Sequence, residues 1–164
     1  MSNSILFIQT GGTIDKDYPK VTKGWAFDIA EPAVERILPK INPTFDYSIY
    51  SFLKKDSQEI TDEDRIKLLN YCKSTPFNKI IITHGTDTMI ETGLSLTPIL
   101  NKTIVLTGAM RPERFQNTDA DLNIGMALAG VQTCTTGVYI AMHGNIIPIQ
   151  QAKRDLNSGQ FIFK

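Results

Sequence analysis

Four short runs combine small hydroxyls, glycines and carboxylates: Thr10-Gly11-Gly12-Thr13-Ile14, Asp56-Ser57-Gln58, His84-Gly85-Thr86-Asp87-Thr88 and Thr107-Gly108-Ala109-Met110-Arg111. Groups of these types suit two chemistries. In acyl transfer, a threonine hydroxyl attacks a carbonyl while backbone N–H groups at the glycine turns hold the oxyanion. In passive recognition, helix N-termini and hydroxyls bind a small zwitterion or anion without reacting with it. The first chemistry needs a base for the threonine proton: a lysine kept neutral by burial and oriented by an aspartate, or a tyrosinate in a mobile loop. A Ser/His/Asp arrangement fits less well, because neither His84 nor His143 accompanies a nucleophile at the spacing GxSxG.

Each run also has a bland reading. Thr86 before Asp87 has the form of a plain helix N-cap. Gly11-Gly12 is neither GxGxxG nor a phosphate loop ending in Lys-Ser/Thr, and no acidic ribose ligand accompanies it, which disfavours a nucleotide site. His84 at a strand end suits a bond to backbone better than a metal. Paired with His143 it makes two ligands with no evident third, so no metal is expected. Asp56-Ser57 suits an Asx-type turn, and Lys153-Arg154 a solvated basic pair.

The elements that carry these runs follow from periodicity. Ile80–Thr83 reads as a strand buried on both faces, ending in a tight polar turn that opens a helix. Ile5–Ile8, Phe45–Tyr50 (with Phe52 and Leu53 as an extension), Thr103–Leu106 and Val138–Ala141 read as further strands. Between them lie helical stretches: one from Glu31-Pro32 that Pro39 ends; one capped by Thr61 with Ile66, Leu69 and Cys72 as its buried stripe; one marked by Met89, Ile90 and Leu94 up to Pro98; and one capped by Asp119 through Val131. Asp15 to Asp28, with Pro19 and Gly24, reads as a mobile loop long enough to be a lid. Ile146 to Lys164 reads as a hairpin or extended tail. Strand–turn–helix repeated four times and closed by a fifth strand predicts an α/β fold, a mainly parallel open sheet with helices on both faces and a C-terminal hairpin. Right-handed crossovers then bring Thr10–Thr13, Asp56–Gln58, His84–Asp87, Gly108–Arg111 and His143 to one edge, where ligands bind in such sheets.

Length and composition bound the rest. At 164 residues the chain is expected to be one domain, able to bury roughly 70% of its unfolded surface. Lysines plus arginines equal aspartates plus glutamates at 17 each, so neither nucleic acid nor an anionic membrane is favoured as a partner. Cys72 and Cys134, the two cysteines, read as reduced thiols. The first residues lack a basic region and a long apolar run, and no stretch approaches the ~20 apolar residues that span a bilayer. A cytoplasmic protein is expected.

In their order and spacing the four runs, extended by Met89 and Pro112, resemble the bacterial-type L-asparaginase family. Asp119 and Asn123 resemble the start of its next helix, and the resemblance spans nearly the whole chain. It implies a threonine amidohydrolase that converts L-asparagine, or a similar small amide, to aspartate and ammonia without cofactor or metal. Carried over, Thr13 is the nucleophile, and Thr86 positions or activates water or itself attacks. Asp87 grips the α-amino group, Ser57 the α-carboxylate, and Gln58 assists within the substrate-binding motif that begins at Asp56. The backbone of Gly12, Thr13 and Thr86 supplies substrate and oxyanion contacts. The lid tyrosine aligns with Phe27, which has no hydroxyl; Tyr18 lies in the same loop. The family's lysine falls at Lys153, or at Arg154 by a one-residue shift, and arginine is no base at neutral pH. The resemblance is to the N-terminal domain, so residues 1–164 are expected to form a single domain of that type, with the family's smaller C-terminal domain absent. A homo-oligomer, dimer or larger, is expected by the same analogy. The competing expectation is a weakly active or non-catalytic module that binds a small amino acid at an incomplete site.

Overall fold

In the computed structural model, which describes residues 4–21 and 26–164, the chain forms β1 (Ile5–Gly11), β2 (Lys16–Asp17), β3 (Asp28–Ile29), α1 (Val34–Ile41), β4 (Tyr47–Lys55), α2 (Asp62–Ser74), β5 (Lys79–Thr83), α3 (Met89–Ser95), β6 (Thr103–Thr107), α4 (Ala120–Thr133), β7 (Gly137–Met142), β8 (Asn145–Pro148), β9 (Ala152–Arg154) and β10 (Phe161–Phe163). Six strands make the main sheet, in the order β4-β1-β5-β6-β7-β8. All neighbours are parallel except β8, which runs antiparallel to β7. The predicted C-terminal hairpin is the antiparallel pair β9 and β10.

Strand alternation splits the core in two. Leu6, Ile8, Ile80, Ile82, Ile104 and Leu106 face α2 and α3, while Ile5, Phe7, Ile81 and Val105 face α1 and α4. Each central strand is therefore apolar on both sides, which is why its sequence is an unbroken run rather than an alternation. Each such side chain contributes roughly 1.5–3 kcal/mol by leaving water.

The helix faces also set the handedness. From β5 to β6 to β7 the chain steps in one direction across the sheet, yet α3 lies on one face and α4 on the other. The β6–α4–β7 connection thus has the opposite hand to the other three. Uniform right-handed crossovers, expected from the sequence, fail at this one. The carboxyl ends still share an edge, because parallel strand direction alone decides that.

Three local expectations also change. Pro39 does not end α1. It sits in the last turn, and Asn42 closes the helix in a left-handed conformation with its N–H on the Pro39 carbonyl. The buried face of α2 carries Arg65, Leu68 and Cys72, while Ile66 is 57% exposed. Arg65 holds the inner position through bonds to Asp62, Glu91 and the Thr92 hydroxyl. The segment read as a free loop from Asp15 has its ends paired as the β2–β3 ribbon. Residues 1–3 and 22–25, which include the first residues of the chain and Gly24 of the loop, lie outside the described residues. Among the described residues no helix is long and apolar enough to cross a membrane.

Candidate active site

The chain passes from β1 to the edge strand β4 and then back across to β5, so β1 and β5 flank the point where the strand order reverses. Crevices at such a switch, outside the carboxyl ends of the strands, are where open α/β sheets bind ligands. A hollow of about 400 Å³ lies there, lined by Thr13, Lys16, Asp56, Ser57, Gln58, Glu59, Gly85, Thr86 and Asp87. Three strand ends supply these residues: β1, β4 and β5.

Backbone contact at glycines makes the convergence possible. Gly12 has φ 85°, and a Cβ there would lie 2.3 Å from the Gly85 nitrogen. A Cβ at Gly85 would lie 2.8 Å from both Cβ and Oγ of Ser57. Any side chain at either position forces the three turns apart. The turns are then tied by polar bonds. The Asp87 N–H donates to Ser57 Oγ at 3.2 Å, Gln58 Nε2 to Asp87 Oδ2 at 2.7 Å, and the Thr88 hydroxyl to the Ser57 carbonyl at 2.7 Å.

Beneath Thr86 lies a polar chain whose direction can be read. His84 is fully buried, with Nδ1 2.7 Å from the Gly85 carbonyl and Nε2 2.8 Å from Thr92 Oγ1. A carbonyl only accepts, so Nδ1 carries the proton, and Nε2 accepts from Thr92. Thr92 in turn accepts from Arg65 Nε at 3.2 Å. Burial pushes His84 down to about 4, with Arg65 adding to the effect and the Gly85 bond opposing it, so the ring is neutral at pH 7. The bond to backbone expected of His84 is the one observed.

Beneath Thr13 the buried group is an acid. Asp15 Oδ1 accepts the Ala33 N–H at 2.7 Å, and Oδ2 lies 3.5 Å from the Thr83 hydroxyl. Burial raises Asp15 to about 6, against the lowering effect of the Ala33 bond and the Arg36 charge.

The other predicted positions divide. Thr13, Asp56, Ser57, Gln58, Thr86 and Asp87 line the hollow together, and Gly12 abuts it from behind. Thr10 is buried, its hydroxyl on the Thr83 carbonyl. The Gly108–Arg111 turn is not part of the lining. It is tied to α4 instead: the Met110 and Arg111 N–H groups donate to the Asp119 carboxylate, and Asn123 Nδ2 to the Gly108 carbonyl. Asp119 was expected to cap α4 with its side chain and spends that side chain on this turn. His143 is likewise outside the lining, at φ 53° and stacked on Phe161 with ring centroids 5.9 Å apart.

Lys153, predicted among the catalytic groups, is exposed on β9 and does not line the hollow. Arg154 turns inward. Its Nη1 donates to the Thr86 carbonyl at 2.8 Å, and its guanidinium carbon sits 4.6 Å from the centre of the Phe161 ring. It lines an adjoining hollow of about 260 Å³ with Asp87, Asp155, Leu156 and Gly159. The lid candidates are also outside. Tyr18 is 70% and Phe27 44% exposed, their rings 5.2 Å apart, with Phe27 against Phe115. Tyr18 borders a separate hollow beside Glu31 and Lys54.

Sequence reasoning missed Lys16 and Glu59 as lining residues, whereas Gly85 lies within the run His84–Asp87 that it brought to this edge. Lys16 had no signal in periodicity or spacing. Among the described residues no group of three or more His, Cys, Asp or Glu is placed to hold a metal ion.

Residues 4–159 match the family model described as "Asparaginase, N-terminal". The glutaminase-asparaginase of Acinetobacter glutaminasificans is 29% identical over 167 residues, covering 94% of this chain and 50% of that protein. The probable periplasmic L-asparaginase of Haemophilus influenzae is 31% identical over 156 residues, covering 88% of this chain and 44% of that protein. Among solved structures, the thermostable L-asparaginase from Thermococcus kodakarensis superposes with a TM-score of 0.81 at 25% identity, over 98% of this chain and 51% of that one. The chain spans about half the length of the curated relatives it matches.

Proposed function

The chain belongs to the asparaginase family, and from that premise we propose that its hollow is an amidohydrolase site for L-asparagine or a similarly small amide. The observation that carries the reading is that Thr13, Ser57, Thr86 and Asp87 line one hollow although they come from three strand ends. The Asp87 carboxylate suits a substrate ammonium. Ser57 accepts the Asp87 N–H, which leaves its own hydroxyl proton available to a substrate carboxylate. Gln58 fixes Asp87 from the side, and Asp56 stands at the rim beside Ser57.

Thr13 Oγ attacks the carboxamide carbon in this reading, and the backbone N–H of Thr13 receives the oxyanion, the Gly12 N–H being held by the Lys55 carbonyl at 3.0 Å. The C–N bond breaks with the threonine proton passing to nitrogen, so ammonia leaves and an acyl-threonine remains. Water, positioned by Thr86, then hydrolyses the ester to aspartate and restores the hydroxyl. Hydrolysis requires water and no cofactor. Self-association and a cytoplasmic location belong to the same reading.

Arg154 favours a second reading. It reaches Thr86 where the resemblance calls for a lysine, and a guanidinium takes no proton at neutral pH. A site that binds an amino acid and turns it over slowly or not at all fits that substitution. One assay separates the two: ammonia release from a panel of small amides, with the melting temperature followed in parallel. The hydrolytic reading expects ammonia from L-asparagine, abolished by Thr13→Ala and by Thr86→Ala. The binding reading expects L-aspartate to raise the melting temperature with no ammonia formed. Unchanged release in both threonine variants excludes the mechanism.

A further inference from the structure

Among the described residues lining the hollow Lys16 is the single cation, in a lining that also carries the carboxylates of Asp56, Glu59 and Asp87. Its position follows from the turn after β1. Thr13–Asp15 form one turn of 3-10 helix, Asp15 is buried beneath it, and the next residue, with its N–H on the Thr13 carbonyl, begins β2. Lys16 therefore sits three residues from Thr13 with its side chain toward the hollow. There its ammonium is 2.9 Å from Asp56 Oδ1. The side chains are 25% and 49% exposed, and an ion pair so open to water is weak and exchanges easily.

Among the described residues nothing else in the hollow balances an anionic ligand: Glu59 and Asp87 are carboxylates themselves, and Arg154, in the adjoining hollow, is committed to the Thr86 carbonyl and the Phe161 ring. Ser57 offers a hydroxyl, a neutral donor, beside Asp56. We infer that Lys16 is the carboxylate anchor of the site: on binding, its ammonium leaves Asp56 for the carboxylate of a small amino acid, and Asp56 is the resident counter-ion that the ligand displaces. The inference rests on the amino-acid reading of the hollow and makes it selective, for ligands that carry an ammonium and a carboxylate together.

The test is calorimetric titration of the full chain with L-aspartate, L-asparagine and L-aspartic acid diamide, which keeps the ammonium and has no carboxylate. Wild type binds the first two more tightly than the third. Lys16→Gln weakens L-aspartate and L-asparagine about tenfold, as expected for a half-screened charged hydrogen bond, and leaves the diamide nearly unchanged. Lys16→Arg keeps the preference. Asp56→Asn removes the competitor and tightens L-aspartate. Equal L-aspartate affinity in wild type and Lys16→Gln overturns the inference. So does a parallel weakening of all three ligands in Lys16→Gln and Asp56→Asn, which marks the pair as a strut between turns. Failure of folded wild type to bind any of the three removes the amino-acid reading itself, and this inference with it.

Discussion

The turns after β1 and β5 each bring a threonine to the same hollow, but they rest on opposite kinds of buried group. Under Thr13 lies a carboxylic acid, Asp15, whose burial raises it to about 6. Under Thr86 lies an imidazole, His84, whose burial lowers it to about 4. Each grips backbone rather than the threonine itself: Asp15 the Ala33 N–H, His84 the Gly85 carbonyl. His84 thus holds the peptide before Thr86, and Asp15 ties the Thr13–Asp15 turn to the start of α1. The difference is electrostatic. A charge on His84 disrupts its turn, whereas Asp15 changes charge close to neutrality.

The largest way to break the comparison is to part the two turns. Gly85→Ala puts a Cβ 2.8 Å from Ser57 Cβ and Oγ, and Gly12→Ala puts one 2.3 Å from the Gly85 nitrogen at a left-handed φ. Overpacking and backbone strain together cost roughly 3 kcal/mol or more, measured by urea unfolding, and ligand binding is expected to vanish with them. Gly125→Ala, where a Cβ meets nothing within 4 Å, is the control and leaves the unfolding midpoint nearly unchanged or raised.

The pH dependence sharpens it. His84 has a folded pKa of about 4 against 6.5 for the free side chain, so the unfolded chain binds the extra proton between those values. Stability present above pH 6.5 is lost as pH falls toward 4, by roughly 3 kcal/mol from this group. Asp15, at about 6 against 3.8, works the other way: the folded state holds the extra proton, and stability falls as pH rises from 3.8 to about 6, again by roughly 3 kcal/mol or somewhat less. Difference melting curves from pH 4 to 7.5 for His84→Gln and Asp15→Asn are expected to slope in opposite directions. Slopes of the same sign contradict the contrast.

The smallest expected effect lies at the rim. Arg154→Met leaves the Thr86 carbonyl without its donor and costs about 1–2 kcal/mol. Lys153→Ala, at an exposed position, stays within about 0.5 kcal/mol of wild type. Equal effects from the two variants contradict the inward placement of Arg154.

How much of this was legible from residues alone varies with the range of the interaction. The strands and their terminal turns were legible because burial on both faces leaves unbroken runs such as Ile80–Ile82, and polar residues after them stand out. The edge that collects Thr13, Ser57 and Thr86 followed from parallel direction alone. What escaped depends on contacts between distant segments. Arg65 displaces Ile66 from the inner face of α2 because its partners Glu91 and Thr92 lie on α3. Asp119 turns from its helix to the Met110 turn for the same kind of reason. The choice between Lys153 and Arg154 is a matter of which side of a two-residue alternation faces inward, which the pairing of β9 with β10 decides. Lys16 begins β2, a strand of two residues, too short for a period to show. The hand of the β6–α4–β7 connection depends on which face α4 covers, and an alanine-rich helix fits either.

The central claim is that the ends of β1, β4 and β5 form one amino-acid site. Backbone amide shifts recorded while L-aspartate is titrated into the folded chain test it most directly. Saturable shifts are expected at Gly12–Lys16, Asp56–Glu59 and Gly85–Asp87, with β8 and the exposed face of α4 still. Shifts scattered over the surface, or confined to only one of the three turns, contradict it.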